Sequence, residues 1–160
     1  MESLKLMIKT IFAIINISLV AIYVIGSGLW VNSGDGFYRS LKRPFWQPPD
    51  FLFGIAWPYN FLVLIIAGVI IANNASNLFR LSYTIAFAFS VITALVWAHG
   101  FYIQHNLILA AISLAVTALL TVPMVAIAFQ TDWKIGLALI PYQLWLITAT
   151  SLSIGYKVLN

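Results

Sequence analysis

The chain has 160 residues, 62% of them hydrophobic and 8% charged, with a net charge of +4 and no cysteine. A water-soluble domain carries about 25% charged residues, so this chain cannot cover a surface in water and reads as an integral membrane protein. Disulfides, thiolate metal sites and thiol nucleophiles are excluded, and the small basic excess, confined to segment ends, reads as orientation and lipid headgroup contact, with no nucleic-acid partner.

A membrane span needs about 20 apolar residues. The first span is placed at 6–29, after Lys5 and Lys9, with Asn16 and Ser18 as its internal polar groups and Gly26 and Gly28 at its exit. Its apolar run is too long for a cleavable leader and lacks a small-residue cleavage site. Residues 30–50 then form a loop unlike the rest of the chain. Arg39, Lys42 and Arg43 alternate there with Phe37, Tyr38, Phe45 and Trp46, and Pro44, Pro48 and Pro49 follow. Proline fixes φ and forces its predecessor toward extended geometry, so the loop cannot be one helix. It reads as a structured lid.

The second span is placed at 51–71, ahead of a polar cluster (Asn73, Asn74, Ser76, Asn77) and Arg80. From 81 to 131 there is no Asp, Glu, Lys or Arg, which is too long for one helix. A break at Gln104-His105-Asn106 divides it into spans at 81–103 and 107–129, and the fifth runs 135–156. The expected architecture is all-α, a single domain of five transmembrane helices with a structured loop between the first two. An odd number of spans and the lack of an internal repeat argue against a two-halved transporter. Four cations fall on each side of the membrane (Lys5, Lys9, Arg80, Lys134 against Arg39, Lys42, Arg43, Lys157), so charge does not set the orientation.

Within the third span Ser82, Ala86, Ser90, Ala94 and Ala98 recur at every fourth residue. Such a stripe lets another helix approach closely, either inside the same bundle or as a homodimer seam. Ser113, Thr117 and Thr121 form a hydroxyl stripe on the fourth span, suited to bonds with backbone carbonyls or a neighbouring helix. Pro123 and Pro141 interrupt the fourth and fifth spans.

Chemistry-bearing groups are sparse. Glu2, Asp35, Asp50 and Asp132 lie at ends and loops, which removes most of the weight from proton relays and ion-coupled transport. His99 and His105, six residues apart, would face different directions, so no metal site is expected. Trp30 and Trp133 sit where interfacial belts form. Trp57 and Trp145 lie deeper, beside Pro58 and Pro141, where flat indoles suit a planar apolar ligand.

The run FYRSLKRPFWQPPDFLFGIAW resembles the Lys-Pro-x-Trp-x-Pro-Pro loop and the following Phe-Gly-x-x-Trp of the tryptophan-rich sensory protein/translocator protein family (TspO/MBR). Trp97 with Phe101, Tyr102, His105 and Asn106, then Pro141-Tyr142-x-x-Trp145-x-x-x-Ala149, then Leu159-Asn160, resemble its later motifs in the same order. The resemblance implies a five-helix bundle, a homodimer and a cavity capped by the first loop. It implies a receptor or carrier for porphyrins (protoporphyrin IX or haem), with sterols and isoquinoline-carboxamide or benzodiazepine drugs as further family ligands, and no required cofactor. Carried over by position, the cavity residues would be Trp46, Trp57, Phe61, Trp97, Phe101, Tyr142, Trp145 and Ala149, with Arg39, Lys42 and Arg43 meeting ligand carboxylates from the lid. Light-dependent porphyrin breakdown, reported for some members, would rest on Trp57 and Trp145; a regulatory role through a protein partner at the lid is the other alternative. The resemblance also implies a bacterial cell membrane, or the mitochondrial outer membrane in a eukaryote, with the first loop and the C-terminus facing the cytosol. The chain departs from the family pattern at Phe61, Ala94, Ala98, His99 and Ser153, which removes polar cavity contacts, and Tyr156 directly before Lys157 breaks the proposed sterol pattern.

Overall fold

A computed structural model describes residues 2–32 and 36–160; Asp35, read above as a loop carboxylate, lies outside them. Six helices follow one another: α1 (Glu2–Val31), α2 (Phe37–Ser40), α3 (Asp50–Asn74), α4 (Asn77–Tyr102), α5 (Leu107–Thr131) and α6 (Trp133–Leu159). Among the described residues there is no strand. All but the short α2 are long and apolar enough to cross a bilayer. The expected spans are therefore present, each longer than placed from the sequence, because helical turns continue through the polar flanks. The short α2 and the extended, proline-containing segment after it occupy the lid, as the prolines require.

The long helices run alternately up and down and close into a ring in which α1 packs on α3 and α4, α3 on α6, α6 on α5, and α5 on α4. The C-terminal ends of α1, α4 and α6 and the N-terminal ends of α3 and α5 share the lid side. Polar clamps fix this ring. Asn16 donates to the Gly68 carbonyl (3.2 Å) and accepts from Thr84 (3.1 Å), joining α1, α3 and α4. Gly68 is required there, since a Cβ would lie 2.7 Å from that of Asn16. Thr93 meets Thr117 at 2.8 Å, and Thr121 donates to Gln143 at 2.6 Å. The hydroxyls of Thr117 and Thr121 are thus spent on helix packing.

Arg80 is 4% exposed, a cation inside an apolar bundle. Its guanidinium donates to the carbonyls of Ala72 (2.8 Å) and Ala75 (2.9 Å) and to Asn77 (2.7 Å), over the ring of Phe12. It satisfies the free C-terminal carbonyls of α3, where the helix dipole also favours a cation.

The small-residue stripe of α4 divides. Ser90, Ala94 and Ala98 are buried within the chain, and the Ser90 hydroxyl reaches the Met124 sulfur on α5 at 4.0 Å. Only Ser82 is exposed and Ala86 half-buried. Of the two readings of the stripe, packing inside the bundle holds for its last three residues, so the homodimer seam placed at Ser82, Ala86, Ser90, Ala94 and Ala98 is corrected: Ser90, Ala94 and Ala98 cannot meet a second copy.

Candidate functional site

A cavity of about 840 Å³ opens beneath the lid. Its floor is indole. Trp57 on α3 stacks on Trp97 of α4 (centroids 6.3 Å apart, planes 22° apart) and meets Trp145 of α6 edge-on at 6.4 Å. Phe53, one helical turn before Trp57, meets Trp145 edge-on at 5.1 Å. Phe101, Tyr102, Ala149, Leu152, Ser153 and Tyr156 form the walls, and Tyr38, Arg39, Arg43, Gln47 and Asp50 form the mouth.

The lid is tied down from several directions. Asn160 accepts from the Lys42 backbone N–H (2.9 Å) and donates to its carbonyl (3.2 Å), a two-way clasp. The Tyr156 hydroxyl donates to Gln47 Oε1, and Gln47 Nε2 donates to the Tyr38 hydroxyl at 3.1 Å. Phe37 stacks on His105 at 3.9 Å. Arg43 lies over the Tyr38 ring (5.6 Å) and reaches Asp50 at 3.5 Å. Both charges of that pair are largely exposed, so it is worth about 0–1 kcal/mol.

Five of the eight residues expected in the cavity line it: Trp57, Trp97, Phe101, Trp145 and Ala149. Arg39 and Arg43 line it too. Trp46 does not. It is 44% exposed, bonds Ser151 at 3.3 Å from outside the bundle, and with Pro44 covers Gly155, where a Cβ would lie 2.7 Å from Pro44 and 2.8 Å from Trp46. Lys42 does not line the cavity, and its backbone is held by Asn160. Phe61 and Tyr142 lie below the floor: Phe61 stacks under Trp57 at 5.6 Å and meets Tyr23 edge-on at 5.3 Å, and Tyr142 is buried in the core.

Phe53, Leu152, Ser153 and Tyr156 were missed as site residues, although a helical register shows them. Phe53 precedes Trp57 by four, and Trp145, Ala149, Leu152, Ser153 and Tyr156 share one face of α6. Ser153, a departure from the family pattern, accepts the Trp97 indole N–H at 3.2 Å and so fixes the orientation of a floor ring. His99, another departure, packs edge-on against Trp30 at 5.2 Å. Among the described residues no group of three or more His, Asp or Glu side chains is arranged to hold a metal ion.

The sequence profile of the TspO/MBR family matches residues 11–159. The chain belongs to the TspO/MBR family. Five apolar helices in a member of this family make it a multi-pass membrane protein. Among similar proteins, Protein CrtK of Rhodobacter capsulatus is 26% identical over 151 residues, covering 91% of this chain and 94% of its own. The tryptophan-rich protein TspO of Bacillus cereus is 30% identical over 124 residues, 73% and 76% respectively. The tryptophan-rich sensory protein of Cereibacter sphaeroides is 26% identical over 127 residues, 79% and 78%.

Proposed function

We propose that this member of the TspO/MBR family is a membrane receptor that senses or carries porphyrin-like tetrapyrroles, taken up in the cavity beneath the first loop. One observation carries the reading: three indoles, Trp57, Trp97 and Trp145, floor a cavity whose mouth holds Arg39 and Arg43. A tetrapyrrole is a flat apolar disc with carboxylates along one edge. Its faces suit indole walls, and its carboxylates suit guanidinium groups that can bond them bidentately. A volume of about 840 Å³ falls in the range of roughly 300–1,000 Å³ found for small-molecule sites. The name of the Cereibacter sphaeroides relative supports a sensory role. The proposed location is the cell membrane of a bacterium. A homodimer that used α4 would meet it at its outward part, Ser82 and Ala86, not at its buried half.

Apolar burial should dominate affinity, because the mouth arginines are exposed and exposed pairs are worth about 0–1 kcal/mol. The test is a titration of the purified protein with protoporphyrin IX, read by tryptophan quenching. Trp57→Ala and Trp145→Ala should each weaken binding by about 2 kcal/mol or more, over tenfold. Affinity unchanged in both variants would remove the indole floor from the account.

A further inference from the structure

Beneath the tryptophan floor lies a second tier of side chains. Asn60 follows Trp57 by three residues on α3, and Tyr142 precedes Trp145 by three on α6. Residues at that spacing share a helix face, so each lies one turn deeper than its tryptophan. Tyr23 of α1 reaches the same level, edge-on to Trp57 at 6.2 Å. All three are 1% exposed.

Among the described residues, the buried side-chain polar atoms left without a hydrogen-bond partner are the Tyr23, Tyr83 and Tyr142 hydroxyls, Asn60 Nδ2 and Trp145 Nε1. Three of them, on Tyr23, Asn60 and Tyr142, lie in this tier beneath Trp57, while Trp145 Nε1 belongs to the cavity wall. Elsewhere in the bundle, Asn16, Thr84, Thr93, Thr117, Thr121 and Gln143 are all bonded. Native interiors seldom leave several neighbouring polar groups unpaired, because each forfeits its hydration with nothing in return.

We propose that Tyr23, Asn60 and Tyr142 form a binding site for ordered water directly beneath the ligand cavity. Two phenols offer both donors and acceptors, and the carboxamide offers two donors. That is the mixed set of two to four partners that a buried water requires, whereas a chamber lined only by apolar groups would stay dry. The site belongs to the ligand-free protein, so it stands or falls independently of the tetrapyrrole reading.

The test is X-ray hydroxyl-radical footprinting of the full chain in nanodiscs prepared in ¹⁸O-water, read by mass spectrometry. Radicals formed from bound water label the side chains that hold it. Tyr23 and Tyr142 should take ¹⁸O at rates comparable to the exposed Tyr59. Labelling no faster than that of Phe87, a buried ring on α4 that is not one of the three proposed water ligands, would overturn the proposal. Thermal denaturation gives an independent reading with opposite signs for the two cases. If Tyr142→Phe removes a water ligand, the midpoint should fall by about 2–4 °C; an unchanged or higher midpoint means the hydroxyl was unsatisfied and overturns the site.

Discussion

Gln47 sits at the centre of the lid's attachment, accepting from Tyr156 and donating to Tyr38. Gln47→Ala removes both bonds. A net hydrogen bond is worth about 0.5–1.5 kcal/mol, and water entering from the cavity mouth can reach the two phenols, which favours the low end. The loss in lid closure is then about 1–2 kcal/mol, a factor of about 5–30 in the opening equilibrium. Amide hydrogen exchange in nanodiscs reads that equilibrium at the Ser40 N–H, bonded to the Gly36 carbonyl, and at the Lys42 N–H, bonded to Asn160. Both should exchange about 5–30 times faster in the variant. The amides of Ile103 and Asn106, bonded to His99 and Gly100 in the α4–α5 connection, should not change. Unaltered exchange at Ser40 and Lys42 would show that the relay does not hold the lid. Equal acceleration at Ile103 and Asn106 would show general loosening instead of lid opening.

Three further outcomes follow from the same geometry. Gly68→Ala places a methyl 2.7 Å from the Cβ of Asn16 and should cost about 1–3 kcal/mol of stability, seen as a lower melting temperature; an unchanged midpoint would mean α1 and α3 can separate freely. Arg80→Lys keeps the charge but cannot direct separate donors at Ala72, Ala75 and Asn77 together, so it should destabilise by about 1–3 kcal/mol, and full stability would refute the capping role. Raising ionic strength from about 0.1 to 1 M shrinks the screening length from about 10 to 3 Å. Protoporphyrin affinity should then fall by less than about fivefold, since the mouth arginines are exposed; a loss of a hundredfold would mean that charge, not the indole floor, dominates binding.

The spans and the lid were legible in the sequence because bilayer thickness and proline geometry act on each segment alone. The floor was partly legible for a similar reason. Trp57 and Trp145 are too deep for an interfacial belt, whatever surrounds them. Trp46 belongs to another category. It stands in a tight turn after Pro44, where side-chain direction depends on what the turn packs against, and here that is Gly155, a residue 109 positions away by the numbering of the chain. No local pattern in residues 44–49 carries that information. The α4 stripe was ambiguous for a related reason: small residues permit close approach but do not say by which helix, and Ser90 answers only through Met124.

The family departures show how far position alone can mislead. A serine at 153 looks like a lost polar contact, yet it accepts the Trp97 indole at 3.2 Å. Ala94 and Ala98, fully buried, look like lost polarity but sit where the bundle leaves no solvent-facing surface. Of the buried polar groups without partners among the described residues, those of Tyr23, Asn60 and Tyr142 lie one layer below the floor. Tyr142 stands out in sequence only through its motif with Trp145, Tyr23 and Asn60 do not stand out, and only the packing of α1, α3 and α6 brings all three beneath one floor. Local rules therefore place the rods and their aromatic surfaces, while the polar contacts that tune a cavity arise between rods, at sequence separations no local pattern spans.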